Sequence, residues 1–163
     1  MPQADTLVVR KLGDSMIECY LRERNPGITP ERNTGGFFNM VLGHGVLPDF
    51  PLSLSLRLEP TDRYTVVLVA RYQISKNDWA QMIVLCDSWH ADHYFPVASL
   101  YPHGSTFAML MLRNTFSLSA GIHQALFNHF TDTTISAAME FWRWAVEERG
   151  YNLRVSPNHK EGY

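Results

Sequence analysis

The sequence predicts an α+β fold in which helices pack on one face of an antiparallel β-sheet. Three segments have apolar residues at helical spacing, and five shorter segments have the alternating or continuous apolar patterns of strands. Their order along the chain is α-β-β-β-α-β-β-α, and short turns join strands into antiparallel pairs. Hairpins separated by helices are typical of this class and not of a doubly wound parallel sheet.

The first predicted helix covers residues 5–24, whose apolar positions share one helix face. Asp5 or Thr6 is suited to cap its start. Asn25-Pro26-Gly27 predicts its end, because proline cannot continue the backbone ladder and glycine accepts the turn that follows. A polar loop is expected up to Gly36.

Three strands are predicted next, over residues 37–42, 52–59 and 64–72. Leucine alternates strictly with other residues along the second strand, so four leucines share one face. The third strand is rich in β-branched and aromatic residues. Pro60-Thr61-Asp62-Arg63 is a connection short enough to make these two strands antiparallel neighbours. The long loop 43–51 leaves the pairing of the first strand undecided.

A second helix is predicted from Ser75, which opens a pattern of a capping residue followed three positions later by an acid. It extends to about Ala91 and is ended by Phe95-Pro96. A second hairpin follows, with strands over 97–101 and 106–112 joined by a turn rich in proline and glycine.

The last predicted helix covers residues 121–149, and Gly150 is suited to end it. We therefore predict one domain over residues 1–150. Residues 151–163 are polar and without periodicity, which predicts a loose C-terminal tail.

Composition excludes several classes of protein. The 163 residues are 45% hydrophobic and 18% charged, which is typical of a globular chain and not of a disordered one. Fourteen basic residues stand against 16 acidic ones, so the basic excess of a nucleic-acid binder is missing. No run has the length of a membrane span, and no secretory signal is expected. The cysteines, Cys19 and Cys86, are expected to be free thiols, which indicates the cytoplasm.

The segment from Asn77-Asp78-Trp79 through His90-Ala91-Asp92-His93-Tyr94-Phe95-Pro96-Val97-Ala98 resembles the YbjN family of bacterial proteins, which are named as sensory transduction regulators. Phe141-Trp142 matches the aromatic pair near the end of the family's last helix. The resemblance covers roughly residues 75–146. It implies a fold similar to that of type III secretion chaperones, which usually dimerise and bind an extended segment of a client protein. It implies no catalytic residues.

Candidate chemistry is sparse. His90 and His93, at helical i, i+3 spacing and near Asp87 and Asp92, form the best cluster for a metal, but the interpretation as two ordinary polar residues at a helix end is favoured. No nucleophile elbow, phosphate-binding loop or dinucleotide fingerprint occurs. We therefore predict no cofactor, no metal and no catalytic activity.

An apolar surplus is the more informative feature. Strands 64–72 and 106–112 have apolar residues on both faces, whereas helices cover only one face of the predicted sheet. Each exposed Leu or Val forgoes about 1.5–3 kcal/mol of burial. Either the last helix or the tail covers the second face, or that face binds protein. We assign the interaction surface to Val67, Val69, Leu110, Leu112, Trp79 and Trp89.

These observations predict a non-enzymatic protein-binding module, chaperone-like or regulatory, that holds a segment of a partner protein. A homodimer is expected, because a self-complementary patch closes by two-fold symmetry. One alternative is a small-molecule or metal-binding enzyme that uses His90, His93 and nearby acids. Another is a structural subunit of a larger assembly.

Overall fold

A computed structural model describes residues 8–27, 29–42, 52–70 and 73–151. These residues form three α-helices and six strands, and the fold is α+β as predicted. In chain order the elements are α1 (Asp14–Arg24), β1 (Phe38–Leu42), β2 (Leu52–Glu59), β3 (Arg63–Ala70), β4 (Ile74–Ser75), α2 (Trp79–His90), β5 (Val97–His103), β6 (Phe107–Ser117) and α3 (Gln124–Arg143). A 3₁₀ turn (Lys76–Asp78) precedes α2, and a π-helical turn (Trp144–Glu148) continues α3.

The strands form a single antiparallel sheet. Its order is β1-β2-β3-β6, with β5 on the other side of β6 and the short β4 beside β6 beyond the end of β3. Across four neighbouring strands, Leu54 pairs with Leu68, Leu68 with Leu112, and Leu112 with Ala98. Because paired residues of antiparallel strands point to the same side, these four side chains lie on one face, which we call the inner face.

All three helices contribute to the core on the inner face. Tyr64 of β3 packs on Phe127 of α3 with ring centroids 4.3 Å apart, and Phe116 of β6 stacks on Phe130 at 4.7 Å. The buried side chains of α1, α2 and α3 join those of the inner face in one hydrophobic cluster. The helices therefore form a single layer, as the sequence predicts.

Two threonines in the middle of α3 are fully buried, although threonine is a weak helix former. Thr131 Oγ1 is 2.8 Å from the Tyr64 hydroxyl, and Thr134 Oγ1 accepts from Asn114 Nδ2 at 3.3 Å. Both hydroxyls also lie within 3.0 Å of the carbonyl oxygen four residues earlier, to which they donate. These bonds fix α3 to β3 and β6. They explain why two weak helix formers occupy the middle of this helix.

The prediction for the first helix is wrong at its start. The helix begins at Asp14 and not near residue 5, and Arg10 instead pairs with Ile122 through two backbone hydrogen bonds of 2.9 and 3.0 Å. The chain is therefore not helical before Gly13. The backbone of Gly13 is extended, and this residue is the N-cap of α1. The end at Asn25 is confirmed. The expected caps Asp5 and Thr6 lie outside the described residues.

The second half follows the predicted order of elements, although β5 extends to His103, beyond its predicted end at residue 101, and α3 begins at Gln124 and not at residue 121. The two-residue β4 is unpredicted, because it is too short to show a period and exists through its pairing with β6. Strand β6 continues five residues beyond the predicted end at Leu112, since β3 supplies backbone partners as far as Ser117. Tyr151 packs partly buried against the core, while the rest of the predicted tail lies outside the described residues.

Candidate protein-binding surface

The outer face of the sheet is the side opposite the helices. Register assigns to it every strand residue that alternates with the inner-face leucines, such as Val69, Met111 and Ser99 in one cross-strand row and Val67, Arg113 and Val97 in the next. Within the described ranges no helix packs on this face, because all three lie on the inner side. The alternative in which the last helix covers the second face is therefore wrong.

The outer face divides into two halves. The apolar half lies toward the β5–β6 turn. Ser99 and His103 of β5 lie at its edge, and its apolar residues are Val69, Tyr101, Phe107, Met109 and Met111. Tyr101 is 53% exposed, whereas the other four are partly buried. Methionine and aromatic side chains suit adaptable contact with protein, because they present large apolar area with little fixed shape.

The arginine half lies toward the β2–β3 turn and consists of Arg57, Glu59, Arg63, Thr65 and Arg113. Glu59 accepts a hydrogen bond from Thr65 Oγ1 at 2.9 Å, and its other carboxylate oxygen is 4.0 Å from Arg63 Nε.

The residues at the boundary between the two halves are Val67 and Val97, the register partners of Arg113. Val67 is 8% exposed, and Val97 at the sheet edge is 44% exposed.

The structure divides the six residues assigned to the interaction surface. Val67 and Val69 lie on the outer face, where the assignment requires them. Leu110 and Leu112 lie on the inner face and are fully buried, so they belong to the core and do not contribute to a surface. The error has a simple cause, since both faces of β6 are apolar and only pairing with Leu68 shows which one is covered. The exposed side of β6 is formed by Met109, Met111 and Phe107.

The two tryptophans assigned to the surface pack inward. Trp89 is 1% exposed, and its indole Nε1 donates to the carbonyl of Pro96 at 3.3 Å. Trp79 is partly buried against the core and donates to the carbonyl of Ile74 at 3.2 Å. Their assignment to the surface is therefore corrected, because each indole already serves as a packing and hydrogen-bonding anchor for α2.

A second exposed apolar region, which we call the α2 surface, is formed by Ile83, Val84, Tyr94 and Phe95. Ile83 and Val84 are 51% and 63% exposed on the side of α2 away from the core, and the two aromatic residues follow in the loop after the helix. Helical spacing places Met82, Leu85, Cys86 and Trp89 inward and leaves positions 83 and 84 outward. Exposed aliphatic residues on a helix that already has a filled inner face indicate a contact surface.

The two histidines of the enzyme alternative have structural partners. His90 Nε2 accepts the backbone N–H of Ala98 at 2.9 Å and so ties the end of α2 to the edge strand β5. The His93 ring stacks on Trp89 with centroids 3.5 Å apart, and its Nδ1 is 3.1 Å from the Trp89 carbonyl oxygen. Across the described residues, no group of three or more histidine, cysteine or acidic side chains is placed to hold a metal ion.

A cavity of about 310 Å³ opens beside β1, between the end of α1 and α3. Its polar side chains satisfy one another, because the Tyr20 hydroxyl donates to Asp132 Oδ1 at 2.8 Å and the Arg24 guanidinium pairs with the other carboxylate oxygen. Burial, followed by the hydrogen bond to Asp132, raises the pKa of Tyr20. Packing of α1 on α3 accounts for this cluster without a ligand.

Both cysteines are free thiols with raised pKa values. Burial, reinforced by the charge of Asp87, raises the pKa of Cys86 to about 11. Burial and the Glu23 carboxylate also raise the pKa of Cys19, whose Sγ is 3.5 Å from Glu23 Oε1. A reactive cysteine needs the opposite shift, so neither thiol is activated.

No helix in the described part of the chain has the length and apolar character needed to cross a bilayer.

Comparison with known proteins identifies the fold. No known family and no curated protein matches the sequence. Among solved structures, the chain is similar to E. coli YbjN, a proposed transcription regulator, with a TM-score of 0.68 and 10% identity over 87% of this chain and 97% of that one. It is also similar to a chain of the HopA1–SchA chaperone–effector complex, with a TM-score of 0.51 and 10% identity over 80% and 91% of the two chains.

These likenesses confirm the expected YbjN-like, chaperone-like fold. At 10% identity they carry the fold alone, since one fold serves many functions. Neither structure is described as an enzyme.

Proposed function

We propose that the protein is a non-enzymatic binding module, chaperone-like or regulatory, that holds a segment of a partner protein on the outer face of its sheet. The observation that carries this proposal is the apolar half, which is composed like a contact surface and faces away from every described helix. Most surfaces of soluble domains expose apolar residues singly, and contiguous apolar patches mark interaction sites. The similarity in fold to a chain of a chaperone–effector complex supports the same function.

The proposal includes a homodimer that forms through the α2 surface. Two copies joined through the whole outer face would place Arg57, Arg63 and Arg113 of both copies in one interface, and like charges within an interface oppose association. The α2 surface has exposed Ile83 and Val84 on the helix and exposed Tyr94 and Phe95 in the loop after it, and a two-fold axis would bury each set against its own copy.

Two structural features support the cytoplasmic and non-enzymatic parts of the proposal. Free, unactivated thiols persist in a reducing compartment. The histidines offered for catalysis hold α2 to β5 and stack on Trp89, and these contacts account for them without a reaction.

Paired variants test the binding function. The full chain, its Met111→Glu variant and its Val146→Glu variant are purified by affinity from cells that express the protein naturally. Val146 is 38% exposed on the π-helical turn after α3, so it receives the same new charge on another surface. We expect one partner protein to co-purify in fixed ratio with the parent and with Val146→Glu, and to be lost with Met111→Glu. Equal recovery with both variants, or no partner with any, would contradict the proposal.

Light scattering coupled to size exclusion tests the dimer. Ile83→Asp places a charge in the centre of the α2 surface and is expected to convert a dimer to a monomer. Leu126→Asp is the control, because Leu126 is 36% exposed in the first turn of α3, where an acid favours the helix. A parent chain that is monomeric at micromolar concentration would exclude this part of the proposal and leave partner binding intact.

A further inference from the structure

We infer that the partner segment is acidic as well as apolar, with its acidic residues beside the arginine half and its apolar residues on the apolar half. This inference rests on the proposed function and adds the chemistry of the partner. It follows from the charge distribution of the outer face and from the separation of its two halves.

The outer face has the opposite sign of charge to the chain as a whole. The chain has a net charge of −2. On the outer face, Arg57, Arg63 and Arg113 stand against a single carboxylate, Glu59, among the described strand residues. A local basic surface on an acidic protein attracts acidic partners and repels other copies of the same chain.

Two of the arginines have no ion pair within the described ranges. Arg63 is near Glu59. Arg113 is exposed and has Val67 and Val97 as its register partners. The guanidinium carbon of Arg57 lies 5.1 Å from the centroid of the Phe37 ring. Guanidinium groups in such positions bind carboxylates in a bidentate geometry, and Arg113, exposed at the boundary of the apolar half, is accessible to one.

Strand geometry sets the spacing of the partner's residues. Met111 is two residues from Arg113 along β6, about 7 Å, and Phe107 is six residues from it, about 20 Å. An extended segment lying along β6 therefore places an acidic residue two to six positions from its apolar anchors. Apolar contact supplies most of the affinity, and the charges fix orientation and increase the association rate.

A nucleic acid would also approach a basic surface, but the outer face fits it less well. Affinity for nucleic acid depends on many phosphate contacts, and three arginines next to a mainly apolar half offer few of them. Half of the outer face would then have no role in binding. The observations favour the protein segment.

Selection from a random peptide library displayed on phage tests the inference with the full chain as bait. The library of 12-residue peptides is selected in parallel on the parent chain, on Arg113→Glu and on Arg143→Glu. Arg143 is exposed at the end of α3 in the helical layer, so its reversal changes the net charge equally without touching the outer face. A labelled 20-nucleotide single-stranded DNA serves as the nucleic-acid probe.

We expect peptides selected on the parent to combine apolar residues with Asp or Glu two to six positions away. Their binding should weaken about tenfold on Arg113→Glu, remain unchanged on Arg143→Glu, and fall with added salt. Enriched peptides without acidic residues, or with equal binding to both variants, would overturn the inference and leave the proposed function standing. No enrichment at all would contradict both. DNA binding that Arg113→Glu abolishes would overturn the inference in favour of nucleic acid.

Discussion

The two faces of the central sheet are built from adjacent residues of the same strands and end in different environments. On β6, Leu110 and Leu112 are fully buried under the helices, whereas Met109 and Met111, which alternate with them, are partly exposed on the outer face. Both pairs are apolar, so hydrophobicity alone does not distinguish the core from the surface. The difference shows that the side on which the helices pack determines which apolar residues belong to the core. The apolar residues on the other side are available for contacts with another molecule.

Truncation of one side chain on each face should give the largest difference between the faces in the free energy of unfolding. Leu112→Ala is expected to lower the free energy of unfolding by about 2–5 kcal/mol, because it leaves a cavity under the helices. Met111→Ala, on the next residue, should cost about 1 kcal/mol or less, since its side chain already contacts solvent. Urea denaturation measures both. Similar losses for the two variants would mean that the outer face is packed as tightly as the core.

Removal of a tyrosine hydroxyl on each face should give a smaller difference. Tyr64→Phe removes the buried bond to Thr131 and is expected to cost about 1 kcal/mol. Tyr101→Phe removes a hydroxyl from a side chain that is 53% exposed on the outer face. The free energy of unfolding should therefore change by less than about 0.5 kcal/mol. The same denaturation measurement applies, and a larger loss for Tyr101→Phe would show that its hydroxyl has a protein partner.

The rates of thiol labelling compare the core with the surface through the two native cysteines. Because the pKa of Cys86 is raised to about 11, only about 0.1% of this thiol is ionised at pH 8, and the core also blocks access to it. Cys19 is partly exposed on α1 and should react first with a chromogenic disulfide reagent. Single-cysteine variants assign the two phases. Cys86 reacting as fast as Cys19 in the folded chain would contradict the packing of α2.

Much of the fold could be predicted from the sequence where local patterns act alone. The strict leucine alternation of 52–59 and the turn at 60–63 predict the β2–β3 hairpin, and the antiparallel pairing of its strands is confirmed. The start of α1 could not be predicted, because Arg10 takes its backbone partners from Ile122, far along the chain. The same limit applies to β4, which consists of two residues paired with β6.

The candidate surface could be predicted only in part. The sequence shows that β3 and β6 have two apolar faces and does not show which face the helices cover, whereas the register places Val67 and Val69 on the outer face. For β6 the pattern alone is symmetric, and the pairing of Leu68 with Leu112 decides that the leucines are core and the methionines are surface. The arginine half is hidden in the sequence, since Arg57, Arg63 and Arg113 come from three strands and meet only across the sheet.

The solvent accessibility of the methionine methyl groups tests the central claim most directly. With ¹³C-methyl methionine and a soluble paramagnetic agent, at a concentration where light scattering shows a monomer, Met109 and Met111 report on the outer face and Met82 and Met139 on the core. We predict strong broadening of the first two signals and little change in the other two. If Met109 and Met111 were as protected as Met82 in the isolated monomer, the chain itself would cover the outer face, and the surface proposed for a partner would not exist.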